Sequence, residues 1–262
     1  MDLQLNGHVA LVQGASKGIG RGIAESLAAE GVQLLLTGRT ESALQQTARE
    51  IAERYGVRVE FCVADSAQLG SIPTVLERVR EAFGRLDILV CNSGGPKPGE
   101  FDVLTPADWA AAAELLLTGP VELLKAGLPL LEKSPAPRMF IVTSSTTVEP
   151  APGLTLSNVM RPGVVGLVKN LAQFYARMGL RVHSLAPGRV ETDRLAAVFT
   201  AQAAKRGIAK EAVAEQALAS IPVGRFGKPA DLGSLAAFLS SPQADYLTGQ
   251  NWLVDGGFVK GL

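Results

Sequence analysis

The chain of 262 residues is short of the residue types that do most polar chemistry, with two cysteines, two histidines and three tyrosines. Cys62 and Cys91 both fall in strand-like apolar runs. They cannot build a disulfide framework, and each reads as a small buried side chain. No grouping of His, Cys, Asp and Glu has metal-ligand spacing, so no metal is expected. An excess of charge is missing too, because 25 basic residues face 25 acidic ones. That balance leaves no basic stripe for nucleic acid and no polybasic end for a membrane surface. The longest apolar runs fall far below the ~20 residues of a membrane span. Met1-Asp2-Leu3-Gln4 has no signal-peptide character. The expectation is a cytoplasmic globular protein, and 47% apolar content is enough for one large α/β core or two small domains.

What the chain does have is alternation. Short apolar runs at 8–12, 33–38, 57–63, 86–91, 138–143, 180–186 and 251–254 read as seven strands. Segments with helical spacing separate them, at 21–28, 40–55, 69–83, 106–132, about 157–179, 191–220 and 229–240. The strands are near-continuously apolar, as suits parallel strands covered on both faces. Strands alternating with helices predict a Rossmann-type doubly wound α/β fold, a seven-stranded parallel sheet with helices on both faces. No linker or repeat interrupts it, so residues 1–262 are expected to form a single dinucleotide-binding domain. In such sheets ligands bind beyond the carboxyl ends of the strands. The residues that follow each strand are therefore the candidates.

The first of these is Gln13-Gly14-Ala15-Ser16-Lys17-Gly18-Ile19-Gly20. A strand, a glycine-rich turn and a helix start, in that order, form an anion site: glycine permits the turn, and the unpaired N–H groups of the helix start face the ligand. The pyrophosphate of a dinucleotide is the natural ligand. After the second strand stands Arg39, where an NAD-binding chain places an acid for the ribose hydroxyls. Arginine there suits a 2′-phosphate, and Lys17 adds a second cation, so NADP(H) is the expected cofactor. Thr40 follows Arg39. Asp65, followed by Ser66, either accepts a hydrogen bond from the adenine amino group or caps its own strand end.

These pieces resemble the short-chain dehydrogenase/reductase family over nearly the whole chain. The resemblance rests on Gly14-Ala-Ser-Lys-Gly18-Ile-Gly20, Asp65, Asn92-Ser93-Gly94, Ser144, Pro187-Gly188-Arg-Val-Glu-Thr192, Tyr246-Leu-Thr-Gly249 and Asp255-Gly256-Gly257. Within the family the chain is most like the 3-oxoacyl-carrier-protein reductase type. The resemblance implies a homotetramer (or homodimer), a small-molecule carbonyl or alcohol substrate, and a substrate-covering lid at about 191–220. It also implies that Asn92 and Gly94 lie along the cofactor and that Pro187, Gly188, Val190 and Thr192 line its nicotinamide end.

The catalytic half departs from the family. Family members use a serine, a Tyr-x-x-x-Lys pair and an asparagine. Here the serine is kept as Ser144, but the tyrosine position is Ser157, the lysine position Arg161 and the asparagine position Leu116. An aliphatic hydroxyl donates a proton far less readily than a phenol, and an arginine stays protonated. Ser157 and Arg161, four apart, share a helix face. Pro162 beside them predicts a helix that starts late or kinks. Glu149, Arg189 and His183 read as solvated or structural groups. Two readings stay open: an NADP(H)-dependent oxidoreductase with an altered proton relay, in which Ser144, Ser157 and Arg161 act, or a nucleotide-binding homologue that does little chemistry. A third reading, lyase or isomerase chemistry on an anionic substrate, uses the same fold.

Overall fold

A computed structural model describes residues 1–261. Seven parallel strands form one sheet in the order β3-β2-β1-β4-β5-β6-β7. They are β1 (Val9–Val12), β2 (Gln33–Gly38), β3 (Val59–Val63), β4 (Ile88–Cys91), β5 (Arg138–Val142), β6 (Arg181–Pro187) and β7 (Gln250–Val254). The chain winds from β1 outward to β3, then returns to place β4 on the other side of β1. That reversal between β1 and β4 opens a crevice beyond their carboxyl ends.

Period-two side-chain alternation explains why these runs look solidly apolar. Ala10 and Val12 of β1, Leu34 and Leu36 of β2 and Phe140 and Val142 of β5 pack into one core layer. Leu11, Leu35, Met139 and Ile141 point into the other. Both faces are covered, which favours apolar residues, and the buried polar ones among them, such as His183 and Ser184 of β6, are hydrogen-bonded. The first layer is closed by α1 (Gly18–Ala29), α2 (Glu41–Tyr55) and α9 (Pro229–Ser240), the second by α3 (Ile72–Phe83), α5 (Gly119–Leu131) and α6 (Thr155–Tyr175).

Two prolines treat their helices differently. The segment 106–132 is not one regular helix. It is α4 (Pro106–Ala113), a π-helical turn at Glu114–Thr118, and then α5. Pro120 supplies the reason: it has no N–H to give the Leu116 carbonyl four residues back, and its ring crowds that oxygen, so the preceding turn widens. Pro162 does not act as the sequence suggested. The helix α6 begins at Thr155, earlier than expected, and runs unbroken through Pro162 to Tyr175. Pro162 lies on the solvent side, and tertiary packing by Leu156, Val164, Val168 and Ala172 holds the helix together.

The segment 191–220 forms α7 (Asp193–Arg206) and α8 (Lys210–Ala219). Phe199, Ala203, Val213 and Ala217 give the pair a small core of its own, with Leu195 packed against it. The apolar side chains of this segment thus hold it together.

Candidate functional site

The glycine-rich turn sits where β1 ends against β4. Gly14 and Gly18 both have left-handed backbone, with φ of 61° and 58°. Asn92 explains the tightness: its side-chain amide donates to the Gln13 carbonyl at 3.2 Å. A Cβ on Gly14 would stand 2.7 Å from the Asn92 carbonyl oxygen, and one on Gly20 would overlap the Gly14 carbonyl. Thr47 of α2 adds a tie, donating to the Ser16 carbonyl at 3.1 Å. No side chain caps α1, and no acid lies in its first turn. The N–H groups of Gly18, Ile19 and Gly20 therefore stay open to a negatively charged ligand.

Arg39 and Lys17 stand in different states. Arg39, beyond β2, and Thr40 beside it are exposed, and no ion pair among the described residues uses Arg39. Lys17 is paired with Asp193 of α7 at 2.7 Å, and the lysine pulls the aspartate below the ordinary carboxylate range. Of the two roles open to Asp65, the structure shows the cap. One carboxylate oxygen accepts from the Ala67 N–H at 3.0 Å, capping the strand end, while Asp65 and Ser66 both line the crevice.

The loop after β6 closes over the same space. The Gly188 N–H donates to the Val254 carbonyl at 3.1 Å, and the Glu191 N–H to the Gly227 carbonyl at 2.8 Å. Thr192 caps α7, accepting from the Leu195 N–H at 3.3 Å. Its methyl group lies 3.3 Å from where a Cβ on Gly18 would sit. Pro187, Gly188, Val190 and Thr192 thus run from the end of β6 to the glycine turn. Above Gly94 a Cβ would meet nothing within 4 Å. The two groups of cofactor candidates meet where Thr192 approaches Gly18, with free space over Gly94.

At the catalytic end, Ser144 follows β5. Its Oγ accepts from the Thr146 N–H at 3.2 Å, which leaves its O–H able to donate. Ser157 does not meet it. The Ser157 Oγ lies 3.0 Å from Thr146 Oγ1, and Arg161 Nε donates to Ser157 Oγ at 3.1 Å. Arg161 Nη1 donates to the Val142 carbonyl at 3.0 Å. The shared helix face of Ser157 and Arg161 is therefore real, but Thr146, which the sequence did not single out, stands between Ser157 and the Ser144 side. Arg161 is only 8% exposed, and it lines the crevice with Gln13, Ser93 and Leu116. Burial, then the charge of Arg194, pushes its guanidinium down to about 10. Leu116 is buried in the π turn, with no polar group to offer.

The remaining polar candidates have other employment. Glu149 accepts from the Lys260 N–H at 3.2 Å. The Arg189 guanidinium lies over the Phe258 ring, 4.6 Å from its centre. His183 Nδ1 accepts from Trp252 Nε1 at 3.0 Å and Nε2 reaches the Leu247 carbonyl at 3.1 Å. That pattern fixes a neutral ring, and burial pushes its pKa down to about 4. Tyr175 is at the far end of α6 from Ser157, roughly 27 Å along the axis. Among the described residues no His/Cys/Asp/Glu group could hold a metal, and no helix is long and apolar enough to cross a membrane.

Comparison with known proteins points one way. Residues 14–259 match the family model described as "Enoyl-(Acyl carrier protein) reductase". The chain is 32% identical over 255 residues to the 3-oxoacyl-[acyl-carrier-protein] reductase FabG of Salmonella typhimurium, covering 97% of this chain and 98% of that protein. It superposes on L-sorbose reductase of Gluconobacter frateurii, complexed with NADPH and L-sorbose, with a TM-score of 0.94 at 30% identity, covering both chains fully. An NADPH-bound short-chain oxidoreductase of Pseudomonas aeruginosa PAO1, described as containing an atypical catalytic center, matches with a TM-score of 0.87 at 28% identity, covering 97% of this chain and 98% of that one.

Proposed function

The chain belongs to the short-chain dehydrogenase/reductase family, and we propose that it is a single-domain, NADP(H)-dependent oxidoreductase acting on a small carbonyl or alcohol substrate with an altered proton relay. The observation that carries the cofactor is the uncapped start of α1 below an open space at Gly94, with the unpaired Arg39 at the 2′-phosphate end. In this reading the N–H groups of Gly18 to Gly20 bind the pyrophosphate, Arg39 grips the 2′-phosphate in a fork, and Thr40 and Ser16 stand beside it. Asp65, Ser66, Asn92 and Gly94 line the adenosine side, and Pro187, Gly188, Val190 and Thr192 line the nicotinamide side. The cofactor, when bound, supplies a hydride. The NADPH complexes of two structural relatives support the assignment.

Ser144 donates its free O–H to the substrate oxygen and stabilises the charge that develops there. No phenol stands ready to give the proton. The proton comes from water in the crevice, or along Ser157 and Thr146, whose hydroxyls are in contact. Arg161 holds that pair in place through its Nε–H. We further propose that the chain assembles as a homotetramer or homodimer, works in the cytoplasm, and uses α7 and α8 as a lid.

The test is NADPH oxidation with a panel of ketones, aldehydes, 3-oxoacyl and enoyl compounds. Turnover is expected with at least one, and Ser144→Ala is expected to lower kcat by about 10²–10³-fold, the cost of removing one such donor. No turnover above blank with any compound would sink the enzymatic reading, while retained NADPH binding would then leave a nucleotide-binding protein.

A further inference from the structure

Two arginines without a counter-ion stand near the ends of β4 and β5: Arg161 lines the crevice with Ser93 and holds the Val142 carbonyl two residues before Ser144, and Arg194 lies against Gly95. Arg161 enters from α6, nearly fully buried, with its Nε and Nη1 on neutral oxygens. Arg194 enters from the first turn of α7, and its guanidinium lies so close over Gly95 that a Cβ there would overlap it. The only charged group that acts appreciably on Arg161 is Arg194, which repels it. The ion pairs among the described residues engage neither guanidinium, and Asp193, next in the chain, is turned away to Lys17. Arg194 is exposed, but Arg161 is buried; a buried cation without a partner is costly, and an anion brought to it recovers that cost.

We propose that Arg194 and Arg161 form an oxyanion subsite beside Ser144, so that the substrate of this chain is an anionic carbonyl compound bearing a carboxylate or a phosphate. The proposal rests on the oxidoreductase reading above. Arg194 is the outer half of the subsite and presents its guanidinium fork, whose planar geometry matches either oxyanion. Arg161 is the inner half and supplies a fixed charge at low dielectric. The anion anchors the substrate, and the carbonyl is left for the Ser144 O–H. The structure also gives Gly95 a purpose, since any larger residue would push the fork away.

Binding to the NADP⁺-saturated protein, where no reduction can occur, tests this. Calorimetric titration would compare 2-oxobutyrate with methyl 2-oxobutyrate, and glyceraldehyde 3-phosphate with glyceraldehyde. At least one anion is expected to bind about ten-fold or more tightly than its neutral partner, and the responding pair tells carboxylate from phosphate. Arg194→Ala should erase the preference, Arg194→Lys should restore part of it, and NADP⁺ affinity should hold within about three-fold. Equal binding of charged and neutral probes, or a preference that survives Arg194→Ala, would overturn the subsite. So would a loss that falls on NADP⁺ instead. If NADP⁺ does not bind at all, the cofactor reading fails, and the same charged-against-neutral comparison on the free protein still decides the subsite.

Discussion

Arg39 and Lys17 carry the same charge, and only one of them is free to use it. Arg39 has no acidic partner, so Arg39→Ala should weaken NADPH binding by about ten-fold or more while leaving NADH nearly unchanged. Fluorescence titration with both nucleotides measures the two affinities, and equal losses for both would remove Arg39 from the 2′-phosphate. His183 gives a second single-residue effect. Its folded pKa, about 4, lies below its ordinary 6.5. Its neutral form is thus fully stabilising above pH 6.5, and that contribution is lost as pH falls toward 4. The stability gap between the wild type and His183→Gln should narrow by about 3 kcal/mol over that window, as read by urea unfolding. A gap that stays constant would mean the ring titrates normally. At this scale the sequence marked Gly14, Arg39 and Ser144 as candidates by their places after strands, and the structure keeps each at its strand end. Arg194 and Thr146 escaped notice because nothing local marks them. Their roles come from Gly95 and Ser157, distant in the chain.

Among the elements, Pro120 of α5 and Pro162 of α6 show where local rules stop. Pro120 and Pro162 carry the same defect, yet one widens a helix and the other does not interrupt it. Periodicity locates both segments but cannot weigh a missing hydrogen bond against the packing on the opposite face. Pro162 faces solvent and contributes no core contact. Pro162→Ala should therefore return one backbone bond and raise stability by about 1 kcal/mol, after the unfolded chain's gain in freedom is subtracted. Denaturant unfolding checks the sign, and a loss of stability would mean that the ring itself is packed. The first turn of α7 is the other element with consequences. Asp193 occupies Lys17, which the nucleotide phosphates would otherwise draw. Asp193→Asn should tighten NADPH binding by about two-fold, and by less as salt rises. An unchanged affinity would show that Lys17 does not reach the nucleotide.

For the whole molecule, the fold class and the seven strands were legible because a parallel sheet covered on both faces writes itself as apolar runs at regular intervals. The cofactor crevice came with the fold, since the strand ends that form it are fixed by topology. The reaction did not, because at Leu116, Ser157 and Arg161 the chain departs from the pattern it otherwise resembles, and the contacts among Ser157, Thr146 and Arg161 appear only in the side-chain geometry. One feature of that geometry reaches beyond binding. Thr192, Asp193 and Arg194 are consecutive, and they touch Gly18, Lys17 and Gly95 in turn. Three adjacent residues therefore bridge the two halves of the crevice like a bar across a double door. In the proposed reading of α7 as part of a lid, whatever lies beneath enters before the bar drops and leaves after it lifts. Steady-state kinetics should accordingly follow a compulsory order, nucleotide on first and off last, with NADP⁺ as the product that competes with NADPH.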